Sequence, residues 1–157
     1  MKWRQITRKP IVYIRARDSA GRETTILVEE GKVAEALALP GVESAIARGP
    51  VELLAVTLAW QRAGDSRKAD EWAARAAKEM AAHGSASRSG GILLSETTAP
   101  DRARITALHM DIRMKAVLLA VLARKFPAEA AWLNGLATRL NCTPEFPFHL
   151  VRSATQP

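Results

Sequence analysis

The sequence predicts a mainly α (α+β) protein: an N-terminal β-hairpin packed on about six helices, with a C-terminal segment as candidate third strand at the sheet edge. Three observations carry this fold class. Apolar residues recur at helical spacing through most of residues 33–140. Alternating β-branched and aromatic residues are confined to the two ends. Glycines and prolines fall mostly between the periodic segments, where they punctuate them.

The hairpin comes first. Ile11-Val12-Tyr13-Ile14 is answered by Thr24-Thr25-Ile26-Leu27-Val28 across the polar turn Asp18-Ser19-Ala20-Gly21. Alternation puts Val12, Ile14 and Ala16 on one face and Tyr13, Arg15 and Arg17 on the other. An isolated hairpin is marginal, so one face needs helices or another strand. Phe146, Phe148 and Leu150 alternate in the tail, and Pro144 and Pro147 confine that strand to an edge.

Short helices are expected over residues 33–39 and 42–48, stopped by Pro40-Gly41 and Gly49. Pro50 suits the first turn of the next helix, which runs to residue 63 with Leu53, Leu54, Val56, Leu58 and Trp60 apolar. Gly64 ends it, and Asp65 caps an amphipathic helix over 66–83 whose buried face carries Ala69, Trp72, Ala73, Ala76, Ala77 and Met80. Residues 84–99 are expected to be a flexible loop, with Ser89-Gly90-Gly91 as a hinge. Thr98 then caps one long helix over 100–126, and a last helix spans 127–140. The expected organisation is a single domain, 1–157: basic hairpin 1–30, helices 31–83, loop 84–99, helices 100–141 and extended tail 142–157.

Residues 50–83 resemble one tetratricopeptide-type helical hairpin. Two helices of repeat length meet at Gly64-Asp65, with Ala69 and Ala76 at the crossing positions and Trp60 before the turn. The resemblance covers about a fifth of the chain and implies a protein- or peptide-binding groove. Trp60, Trp72 and Arg75 are the candidate partner-binding residues beside it.

Charge narrows the classes of partner. The net charge of +7 is distributed as +5 over residues 1–25, −2 over 26–100 and +4 over 101–157. Basic ends attract phosphate backbones or acidic protein surfaces. Arg4, Arg8, Lys9, Tyr13, Arg15, Arg17 and Arg22 form a candidate nucleic-acid-binding set on and around the hairpin. Arg102, Arg104, Arg113 and Lys115 form a second basic set on the long helix.

Catalysis has little to draw on. Cys142 is the only cysteine, so neither an internal disulfide nor a multi-cysteine zinc site is available. His83 falls at a helix end, where a surface role is expected; His109 and Asp111 are two apart and diverge on a helix. Cys142 and His149 would need tertiary structure to meet, and Ser89-Gly90-Gly91 lacks the lysine of a phosphate-binding loop. No cofactor, metal or catalytic residue is assigned. The N-terminal residues lack an apolar secretory core and no run is long enough to span a membrane, so a reducing cytoplasm is expected. The reading is a non-catalytic binding protein: an accessory, adaptor or inhibitory subunit with a protein partner, acidic in character. Nucleic-acid binding through the hairpin is the alternative, and an enzyme of unrecognised type is third.

Overall fold

The structure, a computed structural model, describes residues 12–17, 23–28, 33–38, 49–139 and 148–149. The protein is mainly α. Residues 49–139 contain six helices and no strand. After the short α1 (Val33–Leu37) these are α2 (Pro50–Arg62), α3 (Ser66–Ala81), α4 (Ser85–Ser95), α5 (Arg102–Thr106), α6 (Ile112–Lys125) and α7 (Ala130–Arg139). A 3₁₀ turn, Pro127–Glu129, joins the last two.

Outside this body, backbone pairing is described for three segments in the order β2-β1-β3. β1 (Val12–Arg17) runs antiparallel to β2 (Glu23–Val28), with Val12 opposite Val28 and Arg17 opposite Glu23. Two residues, β3 (Phe148–His149), lie parallel to β1. The expected turn at 18–21, the helix at 42–48 and most of the tail lie outside the described residues.

Two helices form the centre. In α2, residues 53–59 are all buried, so the helix is enclosed on every side. In α6 the same holds for residues 115–123. An aliphatic helix that is apolar all round can only be stable in such a position. The two pack on each other; α3 covers α2, and α7 covers α6. Gln61 at the end of α2 donates from Nε2 to the carbonyl of Val121 at 3.1 Å, tying the central pair together across 60 residues of sequence. Thr57 donates its buried hydroxyl to the Leu53 carbonyl at 2.8 Å, so it enters the core without an orphaned polar atom.

The turn between α2 and α3 follows from its residues. Gly64 takes a φ of +81°, which side chains disfavour, and Asp65 accepts a hydrogen bond from the Lys68 amide at 3.0 Å. The buried face of α3 is Ala69, Trp72, Ala76 and Met80, as its periodicity predicts.

Residues 84–99 differ from expectation. Most of this stretch is helix α4, and its glycines are contact points. A Cβ on Gly91 would stand 3.0 Å from the carbonyl oxygen of Ala77, and one on Gly90 2.6 Å from Met110 Cε and 2.9 Å from Met80 Cε. The missing side chains let α4 lie directly against α3. Ser89 and Ser95 return their hydroxyls to the carbonyls four residues earlier, at 3.1 and 3.0 Å, which removes the polarity that suggested a loop. Leu93 and Leu94 are each 1% exposed, and burying them contributes roughly 1.5–3 kcal/mol apiece.

The expected single helix over 100–126 is two. Asp101, not Thr98, is the cap: its carboxylate accepts from the Ala103 amide at 3.0 Å. The break between them falls at 107–111, where Asp111 accepts from the Met114 amide at 3.2 Å and starts α6 afresh. Lys115 buries its side chain in the gap and donates from Nζ to the Leu108 carbonyl at 2.7 Å. It thereby satisfies an acceptor that the interrupted helix leaves open.

Two stability measurements check this packing. Gly91→Ala is expected to lower stability by about 1 kcal/mol, because overpacking costs about 1–3 kcal/mol and helix propensity returns about 1. Gly135→Ala in α7 meets nothing within 4 Å, so thermal unfolding should show it gaining up to about 1 kcal/mol. Burial pushes the Lys115 ammonium below its ordinary 10.5. The folded state then holds this proton less tightly than the unfolded chain does. Stability therefore rises as pH climbs through the lowered value towards 10.5. Lys115→Met lacks that rise, so denaturant midpoints should show the variant losing ground to the wild type as pH rises towards 10.5.

Candidate binding cleft

The end of α2, the first half of α3 and the end of α6 converge beside Gly64. Between them opens a cleft of about 590 Å³. Its walls are Gln61 from α2, Ala69, Asp70 and Ala73 from α3, Leu94 from α4, and Val121, Arg124 and Lys125 from α6. A neighbouring depression of about 510 Å³ shares Asp70, Ala73, Leu94 and Lys125 and extends towards Ala74, Ser95 and Phe126. Alanines at 69, 73 and 74 open the space by withholding side-chain bulk along α3. The volumes suit a small ligand or a short peptide segment.

Lys125 is the polar centre of this region. Its Nζ donates to the Leu94 carbonyl at 2.6 Å, in the last turn of α4, where the helix dipole favours a cation. The ammonium also lies 5.5 Å from the centre of the Phe126 ring. Desolvation lowers its pKa, while the nearby carboxylates of Asp70 and Glu96 act in the opposite direction. An ammonium has three donors, and the Leu94 bond engages one of them. Chemically the cleft offers a cation, a carboxylate and an aliphatic wall, a combination suited to recognition.

The candidate partner-binding residues fall in different settings. Trp72 is 5% exposed and belongs to the core, so its expected place on a partner surface is corrected. Its position on the apolar stripe of α3 turns the ring inward. Arg75 stacks its guanidinium over a face of that ring, 3.9 Å from its centre. Trp60 packs half-buried against the core in the last turn of α2, and its Nε1 is buried with no hydrogen-bond partner among the described residues.

The second basic set is largely consumed internally. Arg102 meets Glu129 at 2.8 Å and lies 5.1 Å from the Trp132 ring centre. Arg104 meets Glu96 at 2.7 Å, and Lys115 is buried. The side chain of Arg113 lies outside the described residues. Arg102 and Arg104 thus form surface ion pairs with Glu129 and Glu96, and Lys115 bonds the backbone of the preceding turn. Of the hairpin set, Arg4, Arg8, Lys9 and Arg22 lie outside the described residues. Tyr13, Arg15 and Arg17 are placed in β1 by backbone only.

Among the described residues no group of histidines, cysteines, aspartates or glutamates is arranged to hold a metal ion. No described helix is long and apolar enough to cross a membrane. His83 is exposed beyond the end of α3, with Nε2 3.2 Å from Glu79 Oε1. His109 is exposed; Cys142 and the side chain of His149 lie outside the described residues. Sequence reasoning missed Asp70 and Lys125 as site residues. Their only local signals are a lysine at a helix end and an acid one position after a buried alanine. No family model, curated protein or solved structure matches this chain.

Removing the Lys125 amine tests its anchoring role. Lys125→Met keeps the stem but leaves the Leu94 carbonyl without its charged donor, and should destabilise by about 1–3 kcal/mol in denaturant unfolding. Hydrogen exchange should rise first at the end of α4.

Proposed function

We propose that this chain is a non-catalytic binding protein, an accessory, adaptor or inhibitory subunit that acts through protein–protein contacts. The observation that carries the reading is the cleft and the adjoining depression along α3, with their alanine-lined wall and Lys125 lining both. Apolar wall with few placed polar groups is the composition of a recognition site. The tight pairing of α2 and α3 across Gly64-Asp65 supports the likeness to a tetratricopeptide-type hairpin, whose grooves take peptides. A partner segment carrying a carboxylate would complement Lys125.

Nucleic-acid binding by the N-terminal hairpin is the second reading. It is favoured by the net charge of +5 over residues 1–25 and by Tyr13, Arg15 and Arg17 sharing one face of β1 by alternation. The surface ion pairs of Arg102 with Glu129 and of Arg104 with Glu96 reduce the support that the second basic set would lend it.

Two experiments separate these readings. The tagged chain, purified from its native host, should bring down a stoichiometric protein partner. Ala74→Glu, on the exposed rim of the cleft, should weaken that complex at least about tenfold while leaving the unfolding midpoint in place. Purification of the chain alone, or a complex indifferent to Ala74→Glu, would overturn the cleft as the contact. The second reading instead expects a shift of generic DNA or RNA probes that falls steeply with salt and weakens in Arg15→Ala/Arg17→Ala.

A further inference from the structure

The cleft beside Gly64 keeps two opposite charges apart. Asp70 on α3 and Lys125 at the end of α6 line both the cleft and the depression next to it. The Asp70 carboxylate favours the charged form of Lys125 and so opposes its desolvation. The two nevertheless form no direct ion pair. Lys125 Nζ is held at the Leu94 carbonyl, and Asp70, exposed on its helix, makes no hydrogen bond or ion pair among the described residues.

A third polar group belongs to the same cleft. Gln61 donates from Nε2 to the carbonyl of Val121, and both residues line the space. That bond fixes the amide, yet its Oε1 is buried without a hydrogen-bond partner among the described residues. A buried acceptor left open in this way calls for a donor. Val121 and Lys125 are four apart on α6, so the amide held at Val121 lies about one helical turn from the root of Lys125.

We infer that the cleft binds a free α-amino acid with a branched aliphatic side chain. The ligand ammonium donates to Asp70 and to Gln61 Oε1, and the ligand carboxylate accepts from Lys125. The side chain lies on the wall made by Ala69, Ala73, Leu94 and Val121. Simpler ligands leave part of this set unmet. A carboxylate or phosphate alone gives Asp70 and Gln61 no donor, and an amine alone gives Lys125 no acceptor. A purely apolar ligand would cover all three polar groups and satisfy none. With a hydrogen bond at each end, an amino acid's ammonium and carboxylate reach across a gap of about 8 Å, over which partly shielded charges still act on each other. The inference rests on reading this cleft as a recognition site. It does not require the partner to be a protein, so loss of leucine binding and indifference of a complex to Ala74→Glu are separate failures.

The test is isothermal titration calorimetry of the full chain with L-leucine and three analogues. Leucine should bind at one site per chain with a Kd of about 1 mM or tighter. 4-Methylpentanoate, which lacks the ammonium, and isopentylamine, which lacks the carboxylate, should each bind at least about tenfold more weakly, as should glycine, which lacks the side chain. Asp70→Asn should weaken leucine about tenfold or more while the unliganded variant keeps the wild-type unfolding midpoint. Lys125→Met loosens α4, so isopentylamine carries the test of the ammonium–carboxylate contact in its place. No leucine binding, equal binding of leucine and either single-charge analogue, or indifference to Asp70→Asn would overturn the proposal.

Discussion

The close approach of α4 to α3 at Gly90 and Gly91 is the constraint on which the rest of the helical body depends. With the Ala77 carbonyl 3.0 Å from where a Cβ would stand, α4 has nowhere to slide outward without losing contact, or inward without collision. That position brings the Leu94 carbonyl to Lys125, Ser87 to Met114 and Glu96 to Arg104. It also decides which face of α4 looks outward, and hence that Ile92 is open while Leu93 and Leu94 are not.

Lys115 and Lys125 show how a helical body with two interruptions stays satisfied. Each sends a long aliphatic stem along apolar neighbours and delivers its ammonium to a backbone carbonyl of another segment, Leu108 or Leu94. Burial makes each charge costly, and the carbonyl offsets part of that cost. Arg102 and Arg104 do similar bridging at the surface with Glu129 and Glu96. Much of the basic character of residues 101–125 is therefore structural.

The parts of the fold legible in the sequence are those decided locally. Pro50 at the start of α2, Gly64 and Asp65 at the turn, and the alanine–tryptophan–methionine stripe of α3 all depend on residues within a few positions of each other. The α4 helix was illegible because glycine has two opposite uses. It loosens a chain in solution and permits close packing against a neighbour, and only the neighbour, Ala77, distinguishes them. The break before α6 was hidden for a related reason: Asp111 resembles any polar helix residue until its carboxylate is seen to accept the Met114 amide. At the candidate sites, Trp72 has the same signature whether it faces a core or a partner. The pairing of Arg102 with Glu129 and of Arg104 with Glu96 links residues too far apart in sequence for a charge count to reveal.

The bond from Gln61 to the Val121 carbonyl marks a delay in synthesis as well as a contact in space. A ribosome finishes α2, α3 and α4 well before it makes the helix that covers the far side of α2. Until α6 emerges, a strip of leucines and valine that ends wholly buried stays open to water and to other nascent chains. Close pairing of α2 with α3 can begin at once, because their contacts are local. The enclosure of α2 must wait for the second half of the chain, so protection against aggregation arrives late.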